Sequence, residues 1–340
     1  MKLTAALAAL PLAALSVSGR QVNSRRHTEH RNRFHRRTTN YTLVEKHQGD
    51  TFFDNYNFFS DADPTNGMVN YQTKDNAISK GLAYVQSDGT TVMTVDPNST
   101  LSSGEYRDSV RVSSKNTYSN GLIIADIWAM PHGCSVWPAY WMVGPSWPSD
   151  GEIDILEGVN ELTYNQYTLH TGTGCTLDQD PTVSTVNETT GKVQAYAANV
   201  FNTKCESSAS SNSGCGFTDT STTSYGHGFN MIAGGVFATL IDDTGISIYR
   251  FDRGSIPSDI EAGTPDPSSW GVATALWSSS TCDISSHFTD MSIVWDITLC
   301  GGWAGDAFSK TCSGTCSDAV KDPENFTVAK WKINYVAIYQ

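Results

Sequence analysis

From about residue 45 onward the chain is a succession of short apolar runs cut by turn residues. The segment "GLAYVQSDGTTVMTVD", residues 81–96, holds two alternating runs around Asp88 and Gly89, the pattern of a β-hairpin. "GLIIADIWAMP", "YNQYTLHT", "MIAGGVFATLIDDTGISIYRFDR", "MSIVWDITL" and "KWKINYVAIYQ" have the same character. A helical period is nowhere sustained, and a single turn near "DNAISKG" is the one helix expected. Many short strands at close spacing over roughly 300 residues, with no repeat and no second compositional regime, predict one all-β domain. The expected architecture is a sandwich or jelly roll of two antiparallel sheets. Residues 172–228, rich in Ser, Thr, Asn and Gly and carrying three Cys, read as a cross-linked loop excursion on its surface.

The first residues break this pattern. Lys2 precedes an apolar run from Ala5 to Leu15, too short to span a bilayer, so residues 1–18 read as a secretory signal peptide. Residues 19–37 carry seven Arg between Arg20 and Arg37, with Glu29 the only acid and Phe34 the only aromatic. Such a segment cannot bury enough apolar surface to order itself. It could be a nucleic-acid-binding arm, but on an exported chain it reads better as a propeptide, with Arg25/Arg26 and Arg36/Arg37 as dibasic processing sites. Residues 38–340 are then the single mature domain. Without residues 1–37, 14 basic residues face 34 acidic ones, a net charge of −20. An acidic surface of that size repels nucleic acid and anionic lipid and favours neutral partners. The closing strand "INYVAIYQ" has no apolar tail behind it, so no membrane anchor is expected. The expectation is a secreted, extracellular monomer.

Eight Cys, an even number, favour disulfides over zinc in an exported chain, and no CxxC pair occurs. Sequence does not choose among the pairings; the local pairs Cys205–Cys215 and Cys312–Cys316 are expected. Asn40, Asn98, Asn187 and Asn325 open Asn-x-Ser/Thr sequons, which fit a glycosylating secretory route.

The segment "DGEIDILEG", residues 150–158, sets three acids into an apolar strand. Regular alternation puts Glu152 and Asp154 on one face with Leu156, and Glu157 on the other with Ile153 and Ile155. Burying Glu157 there unpaired is costly. A β-bulge at Ile155/Leu156 shifts the phase and returns Glu157 to the face of the other two acids. Like charges so close do not all ionise, which supplies a proton donor beside an anion. Alternate residues on one strand face lie roughly 6.5–7 Å apart. With side-chain reach this suits the carboxyl separation of about 5–5.5 Å in retaining glycosidases. Two other readings compete: a solvated strand surface, and a Ca²⁺ site of oxygen ligands. An EF-hand is ruled out because Ile155 stands where its sixth-position Gly is required.

Upstream, "CSVWPAYWMVGPSWPSDGEIDI" places Trp137, Tyr140, Trp141 and Trp147 within eleven residues. Trp141 reads as core. Trp147, between two Pro-containing turns, suits a pyranose face. Downstream, "NQYTLHTGTGC" puts Gln166, Thr168 and His170 on one strand face, with His170 a hydrogen-bonding partner for a carboxylate or a sugar hydroxyl.

These motifs, with "WPAYW", "CGGWAG" and the closing "INYVAIYQ", resemble glycoside hydrolase family 16, in particular its secreted fungal endo-β-1,3(4)-glucanases, over residues 45 to 340. The resemblance implies a β-jelly roll with a concave glucan cleft and a retaining mechanism requiring no metal or other cofactor. By position in E-x-D-x-x-E, Glu152 would be the nucleophile, Glu157 the acid/base and Asp154 the group tuning both. Trp147 and His170 would line the subsite at the scissile bond, with Trp137, Gln166 and Trp303 as further sugar contacts. The bulged spacing is that of laminarinase-like members and favours β-1,3-glucan. Gly302 stands where the family more often has Asp, which puts a polar sugar contact from that loop in doubt. The rivals are a transglycosylase on the same scaffold and a non-catalytic glucan-binding module. The absence of GxSxG and HExxH speaks against a serine hydrolase or a zinc protease.

Overall fold

A computed structural model describes residues 41–179, 185–186, 193–208 and 210–340. The signal peptide, the basic arm and the sequons at Asn40 and Asn187 lie outside the described residues. Thr38–Gln340 forms one compact unit.

Two eight-stranded antiparallel sheets make up this unit. The first runs in the order Ala275–Ser278, Gly245–Asp252, Gly235–Asp242, Gly121–Ala129, Lys330–Tyr339, Thr91–Thr94, Ala83–Val85, with Leu43–Gln48 also paired to Lys330–Tyr339. The second runs Asn199–Asn202, Cys215–Thr218, Gln166–His170, Glu152–Glu157, Val136–Val143, Met291–Leu299, Arg111–Tyr118, Tyr56–Phe58. The expected jelly-roll sandwich is therefore present, including the hairpin of Ala83–Val85 and Thr91–Thr94. The helical turn forms at Lys74–Ser79, where the Thr73 hydroxyl accepts from the Asn76 N–H and caps its start.

Alternation decides which side chains enter the core between the sheets. Tyr140 and Met142, Ile153, Tyr167 and Leu169, Ile293 and Trp295 point inward from the second sheet to meet Ile123, Ala125, Ile127, Ile333 and Val336 from the first. Tyr140 stacks on Trp295 at 4.1 Å between ring centroids. The first sheet is covered on its other side too, where Leu122, Ile124, Val236, Leu240 and Tyr249 pack with Ile260, Ala273 and half-buried Trp270. That double burial explains why "GLIIADIWA" reads as a continuous apolar run.

Two expectations are corrected here. The stretch 172–228 is more than a loop: Asn199–Asn202 and Cys215–Thr218 extend the second sheet beyond Gln166–His170. Their short length and Gly, Asn and Thr content hid them. Cys205–Cys215 does form, but Cys312–Cys316 does not; the bonds are Cys134–Cys312 and Cys300–Cys316, with Cys175–Cys282. "CSGTC" joins two short helices, Phe308–Thr311 and Cys316–Ala319, and each of its cysteines reaches a different distant partner.

Candidate active site

The acidic strand Glu152–Glu157 lies between Val136–Val143 and Gln166–His170, and both ladders slip at the same place. Asp154 pairs with Trp141 and Leu156 with Tyr140, so Ile155 has no partner on that side. On the other side the four residues Asp154 to Glu157 span the three from Thr168 to Gln166. The expected bulge is present. Ile153, Ile155 and Leu156 are all fully buried, while Glu152 and Glu157 are half-buried. Each aliphatic side chain gains about 1.5–3 kcal/mol from burial, so three of them hold the shifted phase against regular alternation.

Glycines fit the chain around this strand. Gly151, at φ +84°, enters it where a Cβ would lie 2.3 Å from the His287 carbonyl oxygen. Gly158 leaves it where a Cβ would lie 2.6 Å from the Tyr225 ring. No other residue fits either position without displacing backbone or a buried ring.

The Trp137 indole N–H donates to Glu157 Oε1 at 2.8 Å. Trp303 meets Trp137 edge to face at 5.7 Å, carried by the short Gly301–Gly305 turn that Cys300–Cys316 tethers. Gly302 in that turn is exposed. Gln166 pairs with Glu157 in the ladder and donates from its amide to the Thr168 hydroxyl at 3.2 Å. At the other end, His170 Nε2 stands 3.3 Å from Asp154 Oδ2 and its Nδ1 is 2.9 Å from the Ser207 hydroxyl. Trp147 is 40% exposed in the loop leading into the strand, and its side chain opposes the rise of the Glu152 carboxyl. Every site residue expected from sequence is thus on or beside one sheet face.

Burial raises all three carboxyl groups, and the charge of Asp154 adds to the rise at Glu152 and Glu157. Glu152 is pushed up to about 8 by burial and by Asp154, against the opposing pull of His170 and Trp147. Asp154 is likewise pushed up to about 8 by burial, with Asp296 adding to the rise. Glu157 is held well above the ordinary carboxyl range by burial and by Asp154, with the Trp137 hydrogen bond opposing. Such a cluster offers an acid and a potential nucleophile at once.

Glu152, Asp154 and His170 each offer one ligand atom, all within 4.8 Å of one another. This is the only such group of potential metal ligands found among the described residues.

Sequence reading missed several contributors. Trp141 is not core: it is half-buried on the acidic face, its N–H donates to Asp296 Oδ2 at 3.0 Å, and its ring faces the Arg111 guanidinium at 5.1 Å. Its place four residues after Trp137 in a regular strand was the available signal. Burial pushes Asp296 up to about 7, against the pull of Arg111 and the Trp141 hydrogen bond. Ser207 and Asn165 had no motif to mark them.

Residues 56–339 match a family model described as an XgeA-like, catalytic glycoside hydrolase family 16 domain. The chain belongs to glycoside hydrolase family 16. It is 39% identical over 89% of its length to a probable glycosidase of Schizosaccharomyces pombe, covering 70% of that protein. It is 38% identical over 89% of its length to an endo-1,3(4)-beta-glucanase of Arthroderma benhamiae, covering 65% of it. Several Aspergillus relatives of similar identity are matched over less than half their length. Among solved structures, a glucan complex of laminarinase 16A from Phanerochaete chrysosporium superposes with a TM-score of 0.81 at 36% identity, over 88% of this chain and 99% of that one. An elongating family 16 beta-1,3-glucosyltransferase superposes with a TM-score of 0.80 at 38% identity, over 88% and 100%.

Proposed function

We propose that this family 16 chain is a secreted, retaining endo-β-1,3(4)-glucanase acting on laminarin-type and mixed-linkage β-glucan. The observation that carries it is the bulge, which puts Glu152 and Glu157 on one open face with aromatic rings around them. Glu152 attacks the anomeric carbon while Glu157 protonates the leaving glycosidic oxygen. The glycosyl-enzyme ester then breaks as Glu157, now a base, takes a proton from the incoming water. Asp154, close to His170, keeps the charge of the cluster divided between the two glutamates. Trp147 and His170 bracket the sugar at the scissile bond; Trp137, Trp303 and Gln166 serve the adjoining sugar. These steps require no metal or organic cofactor, so dialysis against a chelator is expected to leave turnover unchanged. Residues 1–18 as signal peptide, 19–37 as propeptide and 38–340 as the catalytic domain remain part of the proposal, as does a monomeric extracellular state.

Product analysis on laminarin, lichenan and barley glucan tests the substrate class. Internal cleavage of β-1,3-containing chains is expected; equal rates on cellulose would contradict it. Glu152→Gln is expected to abolish turnover while glucan binding persists, and unchanged turnover would rule out the mechanism. Persistent turnover loss with intact binding also separates the enzyme from a non-catalytic glucan-binding module. Transglycosylation is favoured as a second reading by the likeness to the elongating glucosyltransferase. With laminarin and a labelled oligosaccharide, label accumulating in longer chains would favour it over hydrolysis.

A further inference from the structure

At the bulge, where both ladders slip and Ile155 has no partner in either, two main-chain groups turn to a side chain, the Ile155 carbonyl and the Glu157 N–H. One side chain takes both. Asn165, fully buried, accepts the Glu157 N–H at Oδ1 and donates from Nδ2 to the Ile155 carbonyl, each at 2.8 Å. The two contacts fix the amide's orientation, since an N–H can only donate and a carbonyl can only accept. Asn165 is itself pinned. Its N–H donates to the Ser224 hydroxyl at 2.9 Å, and its carbonyl accepts the Asp219 N–H at 2.9 Å. A neutral group carrying one donor and one acceptor on a short stem is required; an ionised Asp lacks the donor, and an aliphatic side chain offers neither.

We infer that Asn165 is a positioning residue for the reaction: it clamps the bulge and so aims Glu157 at the glycosidic oxygen. The inference rests on the assignment of Glu157 as acid/base. Without the clamp, two buried backbone groups are stranded, and the strand regains them by relaxing toward regular alternation, which turns Glu157 away from Glu152. Asn165 touches no sugar in this account; it acts through the backbone of the residue that does.

The test compares Asn165→Ala, Asn165→Asp and Glu157→Gln on laminarin and on the dinitrophenyl glycoside of laminaribiose, whose leaving group departs without an acid. Asn165→Ala is expected to lower kcat on laminarin about 100-fold with little change in KM, the scale of a lost general acid. On the activated substrate, azide, which attacks without a base, is expected to restore its turnover as it restores that of Glu157→Gln. Equal loss on both substrates without azide rescue would mean a merely structural role and overturn the inference, as would unchanged laminarin turnover. If Asn165→Ala does not fold, Asn165→Asp decides. While protonated, its carboxyl reproduces both hydrogen bonds, so near-normal kcat is expected at acid pH, falling as the pH rises sooner than in the wild type. The ionisable groups around it are Glu157 on the acidic strand, Tyr167 on the strand that follows it, which donates to Asp219, and Asp219 with its Arg250 partner; Tyr225, which follows Ser224, lies near Glu157 and Glu161. A pH profile parallel to the wild type's would overturn the inference. Full laminarin activity in Glu157→Gln would instead defeat the acid/base assignment, whatever the Asn165 variants do.

Discussion

Burial and Asp154 hold the Glu157 carboxyl well above the ordinary carboxyl range, and the Trp137 N–H at 2.8 Å is the hydrogen bond that stabilises its charged form. Trp137→Phe deletes that donor, so Glu157 should titrate higher still. The alkaline limb of kcat/KM on laminarin is expected to move to higher pH; a move to lower pH would contradict the assignment. The cluster also links stability to pH. Unfolded, Glu152 and Asp154 release protons near the ordinary 4.5 and 3.8; folded, both hold them to about 8. Between those values the folded state binds more protons, so their contribution is complete below about pH 4 and is lost as pH rises toward 8. Each carboxyl that titrates in this window costs about 1.4 kcal/mol per pH unit. Glu152→Gln should flatten that slope, and denaturant unfolding at several pH values would measure it. Glu45 and Asp96, whose values are lowered, act in the opposite direction at more acid pH.

At the level of the strand, what matters is phase. Sequence exposed the conflict in "DGEIDILEG", because regular alternation would bury Glu157 with Ile153 and Ile155. It did not expose the clamp, because Asn165 meets Ile155 and Glu157 only after the chain has turned back through residues 158–164 to the neighbouring strand. Nor did it place Trp141, whose apolar neighbours suggested core although its register with Asp154 on one side and Val294 on the other, and its N–H on Asp296, put it on the acidic face. Deleting Ile155 alone restores regular alternation and leaves Glu152, Asp154 and Glu157 on one face. That variant is expected to lose stability, about 2–5 kcal/mol for the emptied core position, yet keep measurable turnover. Deleting Ile155 together with Leu156 sends Glu157 to the core side and should abolish turnover in any protein that folds. Equal activities in the two deletions, assayed on laminarin, would contradict the phase argument.

Across the whole molecule, the sheet architecture was legible because alternation and turn residues are local, and the long-range staples were not because they depend on tertiary proximity. Cys134–Cys312 joins residues 178 apart and ties the start of the Val136–Val143 strand to the segment following Trp303. Replacing both cysteines by Ser is expected to cost about 2–5 kcal/mol in denaturant unfolding. It should also raise KM for glucan, because the Trp303 turn leans on Trp137. A loss of stability with unchanged KM would separate the staple from the sugar site. The chain spans 65–70% of the length of two of the curated relatives it matches and less than half of several others, so its action on glucan is best tested on the chain itself. The most direct measurement is to trap the intermediate with a 2-deoxy-2-fluoro laminari-oligosaccharide carrying a dinitrophenyl leaving group, then map the modified peptide by tandem mass spectrometry. The expected result is a single sugar ester on Glu152; an ester on another carboxylate, or no covalent species while substrate is consumed, would contradict the retaining mechanism.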